Sequence, residues 1–448
     1  MTRLVLLLIF SPLLLGLLVM CLRSPMKVAL PAYAILMPFG GLLSVGTSRF
    51  GSPSSLIGIV LGVGLVGELL ATRTRGVRIS ATIPIWLLFL AAAAATELWS
   101  VSPGQTATGF LILSSLVLVY VLVGINNADR TVLTRTENGL LIGGMLVTCY
   151  GFAQLLFLGG FPQDSSVAVS HQVGRFGNDM LGPNNEAVAL LLPLMVALSR
   201  SLTLPDRSKR ILHGFLALVL FVGVLMTGSR GGILATLVAV IVLAMANPQG
   251  RRALVKGLVA GIALVAVAWV YHPAGIATRD VATTSSSGRT DIWRVGLAAC
   301  PHYCVFGSGW ETFPDVYAAT QASVPDAAVL VGGGNYQPHN VWLLVAIELG
   351  LPGLVLLASV LIVTFYEALR LPTAMRGPPM SGFIATIVAA LFLSNLEYKF
   401  FWMALILVAL SRNVALVESR PADGRLGTSQ QAYGPGSGQG PVSVPVGV

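Results

Sequence analysis

The chain is predicted to be an all-α, polytopic integral membrane protein with about 12–13 transmembrane helices and two long polar loops, the longer between about residues 272 and 340. Composition carries the first part of that prediction. Hydrophobic residues are 55% of the 448 and charged residues only 10%, with a mean hydropathy of +0.82; a soluble domain cannot hide that much apolar surface. Length carries the second. Apolar runs of about 20 residues recur along nearly the whole chain, each able to cross a hydrocarbon core of ~30 Å at ~1.5 Å per residue. The third observation is the interruption of this rhythm between about Tyr271 and Asn340, where SSSGRTDIWR and FGSGWETF are soluble in character. A polar loop of that length inside a compact membrane protein points to function.

Taken in order, residues 4–22 form a first span whose 19 apolar residues lack a small-residue cleavage site after them, so it reads as an anchor rather than a removed signal peptide. Further spans are expected at 28–45, 55–72, 79–98, 106–125, 139–158, 184–199, 211–227, 232–246, 254–271, 340–365, 380–396 and 400–416. That makes thirteen, or twelve if the first two form one hairpin or one is re-entrant. The expected organisation is N-terminal transmembrane helices over 1–79, a membrane core over 80–416 containing the 272–340 loop, and a disordered cytoplasmic tail over 417–448. The tail from Pro421 is rich in Gly, Pro, Ser and Gln and has almost no apolar bulk.

The net charge of +9 would raise nucleic acid as a partner in a soluble protein, but here the bases sit in short loops between spans, a topological pattern, and membrane lipids are the expected neighbours. Placing both long loops outside leaves 19 of the 27 Lys and Arg residues on the cytoplasmic side and 8 outside, and the opposite orientation reverses the ratio. The outward eight are Arg3, Arg49, Arg175, Arg230, Arg279, Arg289, Arg294 and Lys399. The long loops are therefore expected on the periplasmic or extracellular side.

An arginine held outside against that bias calls for a reason. Arg175 lies in VGRFGNDMLGPNN, Arg230 in TGSRGG, and Arg289 and Arg294 in SSGRTDIWR. A guanidinium fork matches phosphate oxygens in two-point geometry, so a lipid diphosphate in the outer leaflet suits them; the ordinary alternative is pairing with Asp179, Asp291 or Glu311, or snorkelling to headgroups. His339 sits where the polar segment meets the apolar run, in YQPHNVWLLVAIELGLPG. A neutral imidazole at such a wet boundary can accept a hydroxyl proton; the plainer reading is a histidine bonded at a helix start, with Asn340 or Pro338 as the cap. Cys300 and Cys304, in ACPHYC, are equally compatible with a local disulfide or free thiols. No P-loop, no Asp-x-Asp pair and no metal-ligand spacing appears, and Glu68 and Glu348 are too few for an ion relay. Neither a metal nor any other cofactor is expected.

Together, Leu98-Trp99-Ser100 with Pro103, GRFGNDMLGPNNEA at 174–187, TGSRGG at 227–232, GRTDIW with GSGWETF at 288–313 and PHNVWLLVAIELGLPG at 338–353 resemble the O-antigen ligase and polymerase superfamily, across roughly residues 80–415. The resemblance implies an all-helical, metal-independent glycosyltransferase that moves a glycan from undecaprenyl diphosphate to an acceptor hydroxyl at the periplasmic face, with inversion. It places Arg230 and Arg289 on the donor diphosphate, with Arg175 beside them, and His339 as the catalytic residue that activates or positions the acceptor hydroxyl. Arg294 and Asn340 are additional candidates. The first expectation for the acceptor is the lipid A core, making the enzyme an O-antigen ligase of lipopolysaccharide biosynthesis. The alternatives are a polymerase using a second glycan acceptor, a protein O-oligosaccharyltransferase and, from another class, an anion transporter. The Gly/Pro-rich tail and the Cys300–Cys304 pair depart from what the family requires.

Overall fold

The computed structural model describes residues 15–40, 52–71, 79–157, 176–177, 182–248, 250–271, 289–325 and 336–419. Among them every regular element is helical and none is a strand, as expected for segments that must satisfy each backbone N–H and C=O internally in hydrocarbon. We number them α1 (Leu15–Arg23), α2 (Pro25–Phe39), α3 (Pro53–Ala71), α4 (Thr82–Trp99), α5 (Pro103–Ile125), α6 (Arg130–Phe157), α7 (Gly182–Thr203), α8 (Arg207–Met226), α9 (Arg230–Ala246), α10 (Arg251–Tyr271), α11 (Arg289–Tyr303), α12 (Phe313–Thr320), α13 (Val341–Glu348), α14 (Gly350–Leu369), α15 (Thr373–Ala390) and α16 (Lys399–Glu418).

Eight of these helices are long and apolar enough to span a membrane, or nine if the bent α1–α2 pair is one span. That is fewer than the twelve or thirteen apolar runs, for local reasons. α1 and α2 meet at 118° across Ser24, so the first two expected spans form a single bent element as far as the described residues reach. α9 has only 17 residues. The run over 340–365 breaks at Leu349, and its first part, α13, packs against α11 rather than continuing into α14. α15 begins at Thr373 and stops at Ala390, leaving 391–398 as an irregular connection where a span was expected to continue to 396. The tail beyond Ser419 and the whole of 272–288 lie outside the described residues.

The bundle is organised around α16. Its sequence FFWMALILVAL is apolar on every face, the pattern of a helix surrounded by protein. Of its most apolar window 78% is buried, against 22% for α3 at the lipid-facing margin. α16 packs against α5 and α15. The Trp402 ring centroid lies 4.6 Å from that of Trp86 of α4 and 6.1 Å from that of Tyr120 of α5, both in tilted contact, and its indole N–H donates to the Leu396 carbonyl at 2.7 Å.

Basic residues that the charge count assigned to the inner side meet one another at one end of this bundle. Lys27 pairs with Asp129 at 3.5 Å, Arg135 donates to the Lys27 carbonyl, and Arg130 makes a two-point contact with Glu418 at 2.8 and 2.9 Å. Arg412 pairs with Glu367 at 3.2 Å, and Ser80 donates to the same carboxylate. The exposed pairs contribute little to stability; their value here is that they gather these bases at a single end.

The described part of the long loop has a core of its own. Ile292, Val295 and Ala299 of α11 pack with Phe313, Val316 and Tyr317 at α12 and with Leu344 and Ile347 of α13. α11 to α13 therefore form a small helical cap joined to the bundle. Cys300 and Cys304 are disulfide-bonded within it, while Cys21 and Cys149 are free. Alkylation of the denatured, unreduced protein is accordingly expected to label two cysteines, and prior reduction to raise this to four; four labels without reductant would mean that the cap carries free thiols.

Candidate active site at the loop–membrane junction

The segment Gly307–Phe313 ties three of the sequence motifs into one joint. Ser308 and Gly309 donate their backbone N–H groups to the Ile347 and Glu348 carbonyls at 2.9 and 3.0 Å. On the other side, Val101 N–H donates to the Ser308 carbonyl at 2.9 Å, Trp99 Nε1 donates to the Gly307 carbonyl at 3.2 Å, and Trp310 N–H donates to Thr96 Oγ1 at 3.3 Å. Glu348 completes the joint: its carboxylate accepts the N–H groups of Glu311 and Phe313, each at 3.0 Å. The sequence offered Glu348 only as an acid within an apolar run. Its work is to hold the loop.

Two glycines make this approach feasible. Gly309 has φ +114° and a Cβ there would lie 2.3 Å from Ser100 Oγ, while Gly307 has φ +87° and a Cβ there would lie 2.3 Å from the Glu348 carbonyl oxygen. Both the left-handed backbone and the collision oppose any side chain. Gly307→Ala, whose obstacle is backbone, is expected to destabilise the protein by more than ~2 kcal/mol, read as a lowered Tm in detergent; an unchanged Tm would contradict the joint.

His339 hangs from this joint. Trp293 Nε1 on α11 donates to the Pro338 carbonyl at 2.7 Å, and Asn340 caps α13 by accepting the N–H groups of Trp342 and Leu343 at 2.9 and 3.1 Å. Held from both sides, His339 adopts φ +48°, a conformation rare for a non-glycine residue and one that collects at functional sites. Burial, and then the Arg289 guanidinium at the start of α11, lower its pKa from 6.5 to about 4. The imidazole is thus neutral at physiological pH and able to accept a proton.

This shift has a defined sign. The folded pKa lies below the unfolded one, so the native state binds fewer protons, and the contribution to stability is complete above ~6.5 and withdrawn as pH falls toward about 4. For an enzyme using His339 as base, the acid limb of kcat/KM is expected near about 4 rather than ~6.5. An acid limb at the ordinary histidine position would contradict the buried, cation-flanked setting.

The structure brings Arg289 and His339 together electrostatically. Arg230 opens a different element, α9. Ser229 caps that helix by accepting the Gly232 N–H at 3.2 Å, leaving the exposed Arg230 side chain at its first turn. Phe392, from the connection before α16, sits against Gly231, and Ala187 of α7 sits against Gly232. The Phe176 N–H donates to the Met226 carbonyl, which lays the second arginine motif alongside the same turn; Arg175 itself is outside the described residues. Arg294 is engaged elsewhere, donating to the Pro325 carbonyl at 3.0 Å and lying 3.7 Å from Asp291. Asn340 spends its side-chain oxygen on the cap. Trp293, which fixes the backbone beside the histidine, was visible in the sequence only as part of GRTDIW. Among the described residues, no group of three or more His, Cys, Asp or Glu side chains is placed to hold a metal ion.

An exposed arginine on one helix start, and a second arginine beside a neutral histidine on the cap, are groups suited to stabilising an anion and removing a proton. Residues 215–358, which contain Arg230, Arg289 and His339, match the family model described as O-antigen ligase. The chain is also similar to the exopolysaccharide production protein ExoQ of Rhizobium meliloti (strain 1021), with 25% identity over 323 residues that cover 69% of this chain and 70% of the relative. These two similarities, together with the all-helical membrane fold and the order of the motifs, support a relationship to the O-antigen ligase-related membrane proteins.

Proposed function

We propose that the protein is a metal-independent, inverting glycosyltransferase that moves a glycan from undecaprenyl diphosphate to an acceptor hydroxyl at the periplasmic face of the inner membrane. The observation that carries this reading is the neutral His339 beside Arg289 at the loop–membrane junction, inside the segment that matches the family. His339 takes the proton from the acceptor hydroxyl as its oxygen bonds to the anomeric carbon. The bond from that carbon to the diphosphate oxygen breaks, and the electron pair leaves with the lipid diphosphate. Arg230 and Arg289, with Arg175, stabilise the charge that grows there.

Between acceptors, the lipid A core was the first expectation. The similarity to an exopolysaccharide production protein favours the other member of the pair. Our reading is therefore a polymerase, with a second lipid-linked glycan as acceptor. Reconstitution with undecaprenyl-diphosphate glycan and each acceptor in turn tests it. Chain extension on the glycan lipid supports the polymerase, product on the lipid A core returns the enzyme to the ligases, and no transfer to either contradicts the enzymatic reading.

A further inference from the structure

The irregular connection 391–398 and the start of α16 hold a second set of polar groups that the chemistry above does not use. Lys399 Nζ donates to Ser52, Ser54 and Ser55 Oγ at 3.1, 2.7 and 2.8 Å. Ser52 and Ser54 are 4% and 0% exposed. Among the described residues no carboxylate lies within ion-pairing distance of Lys399, and residues 40–56, which supply the serines, contain no Asp or Glu. A cation withdrawn from water is ordinarily matched by an anion, and hydroxyl groups solvate the ammonium without balancing its charge.

A second observation lies in the same turn. Asn395 is 0% exposed, and among the described residues neither its side-chain oxygen nor its nitrogen has a hydrogen-bond partner. The hydroxyl of Ser394 is likewise buried without one. The Asn395 carbonyl accepts the Tyr398 N–H at 3.1 Å, which closes the turn from Asn395 to Tyr398, the residue immediately before Lys399. A buried amide with its hydrogen-bonding capacity unmet calls for a polar occupant. The connection also begins beside the proposed donor site, because Phe392 sits against Gly231, next to Arg230.

We infer that the Asn395–Lys399 turn, with Ser52 and Ser54, is a second anion subsite that takes a phosphate-class group, separate from Arg230, Arg289 and His339. The ammonium, its three hydrogens held by Ser52, Ser54 and Ser55, supplies charge; the amide N–H₂ supplies donors to phosphate oxygens, and the amide oxygen accepts from a neighbouring hydroxyl. The proposed function, on which the identity of the occupant rests, supplies one source, the phosphate of a lipid-linked acceptor. An anionic headgroup is the other source of the same chemistry.

The test uses full-length protein in phosphatidylcholine nanodiscs with or without phosphatidylglycerol, comparing wild type, Lys399→Met and Asn395→Leu. With an acceptor phosphate as occupant, Lys399→Met raises the KM of the phosphorylated acceptor about tenfold and leaves the donor KM unchanged; an acceptor stripped of phosphate shows the raised KM in wild type already. With a headgroup as occupant, phosphatidylglycerol raises wild-type turnover and Lys399→Met abolishes that gain. A binding arm without turnover keeps this test independent of the proposed reaction: Arg230→Ala/Arg289→Ala protein is titrated with farnesyl diphosphate. Residual binding that Lys399→Met removes supports the subsite even if wild type transfers nothing. The inference is overturned if that double variant binds no farnesyl diphosphate, or if Lys399→Met and Asn395→Leu lower only the Tm while both KM values and the lipid dependence stay at wild type.

Discussion

His339→Ala is expected to lower glycan transfer by about 10²–10⁴-fold while leaving the helical content and the Tm close to wild type. The size follows from the role, since a positioned base whose loss leaves only solvent to take the proton forfeits that range of rate. The intact fold follows from the surroundings. The joint beside His339 is made by the Pro338 carbonyl, the Asn340 side chain and Glu348, none of which needs the imidazole. His339→Gln offers a hydrogen-bonding side chain without basicity, and it should be as inactive as the alanine variant. Recovery of transfer by the glutamine would show that His339 positions the acceptor and removes no proton.

Arg289→Ala is expected to cost about 10²–10³-fold in kcat, and it should also move the pH profile. The guanidinium adds to burial in holding the His339 pKa near 4. Its removal relieves one of the two causes, so the acid limb of kcat/KM shifts upward. Arg289→Lys separates the effects: it retains the charge felt by the imidazole but loses the planar fork that grips two phosphate oxygens. The lysine variant should therefore keep the wild-type acid limb and show weakened use of the donor. If the pH profile is the same in all three proteins, Arg289 does not act on His339.

The membrane class and the seat of the proposed chemistry could be read from the chain because they depend on composition and local order. Apolar runs leave helices as the economical solution in hydrocarbon, and Asn340 announced the start of α13 as a short polar side chain directly before an apolar run. The span count could not be read in this way, because hydropathy does not distinguish lipid from protein as surroundings. α13 is as apolar as a membrane helix, yet it packs in the cap with Phe313 and Tyr317. Glu348 was misleading for the same reason: its partners are the N–H groups of Glu311 and Phe313, more than thirty residues earlier. Lys399 appeared in the sequence as one more outward base, and only the fold shows that three serines from the start of α3 surround it. Asn395 carried no signal at all, since nothing in SNLEYK announces a buried amide.

The motifs also divide in a way that their spacing did not reveal. GSGWETF, Leu98-Trp99-Ser100 and ELGLPG build the joint through backbone hydrogen bonds. The arginine of SRGG, the arginine of GRTDIW and the histidine of PHN carry the side chains with chemistry. A change in the first group should act through stability, and a change in the second through turnover.

The central claim is that Arg230 and Arg289, which open two separate helices, grip one lipid diphosphate while His339 faces the acceptor. An experimental structure of the protein with bound undecaprenyl diphosphate measures this directly. The account predicts both guanidinium groups within hydrogen-bonding distance of the phosphate oxygens, about 3 Å, with the His339 ring on the side where the sugar would leave. A diphosphate held by neither arginine, or bound at the end of the bundle where Lys27, Arg130 and Arg412 gather, would contradict it.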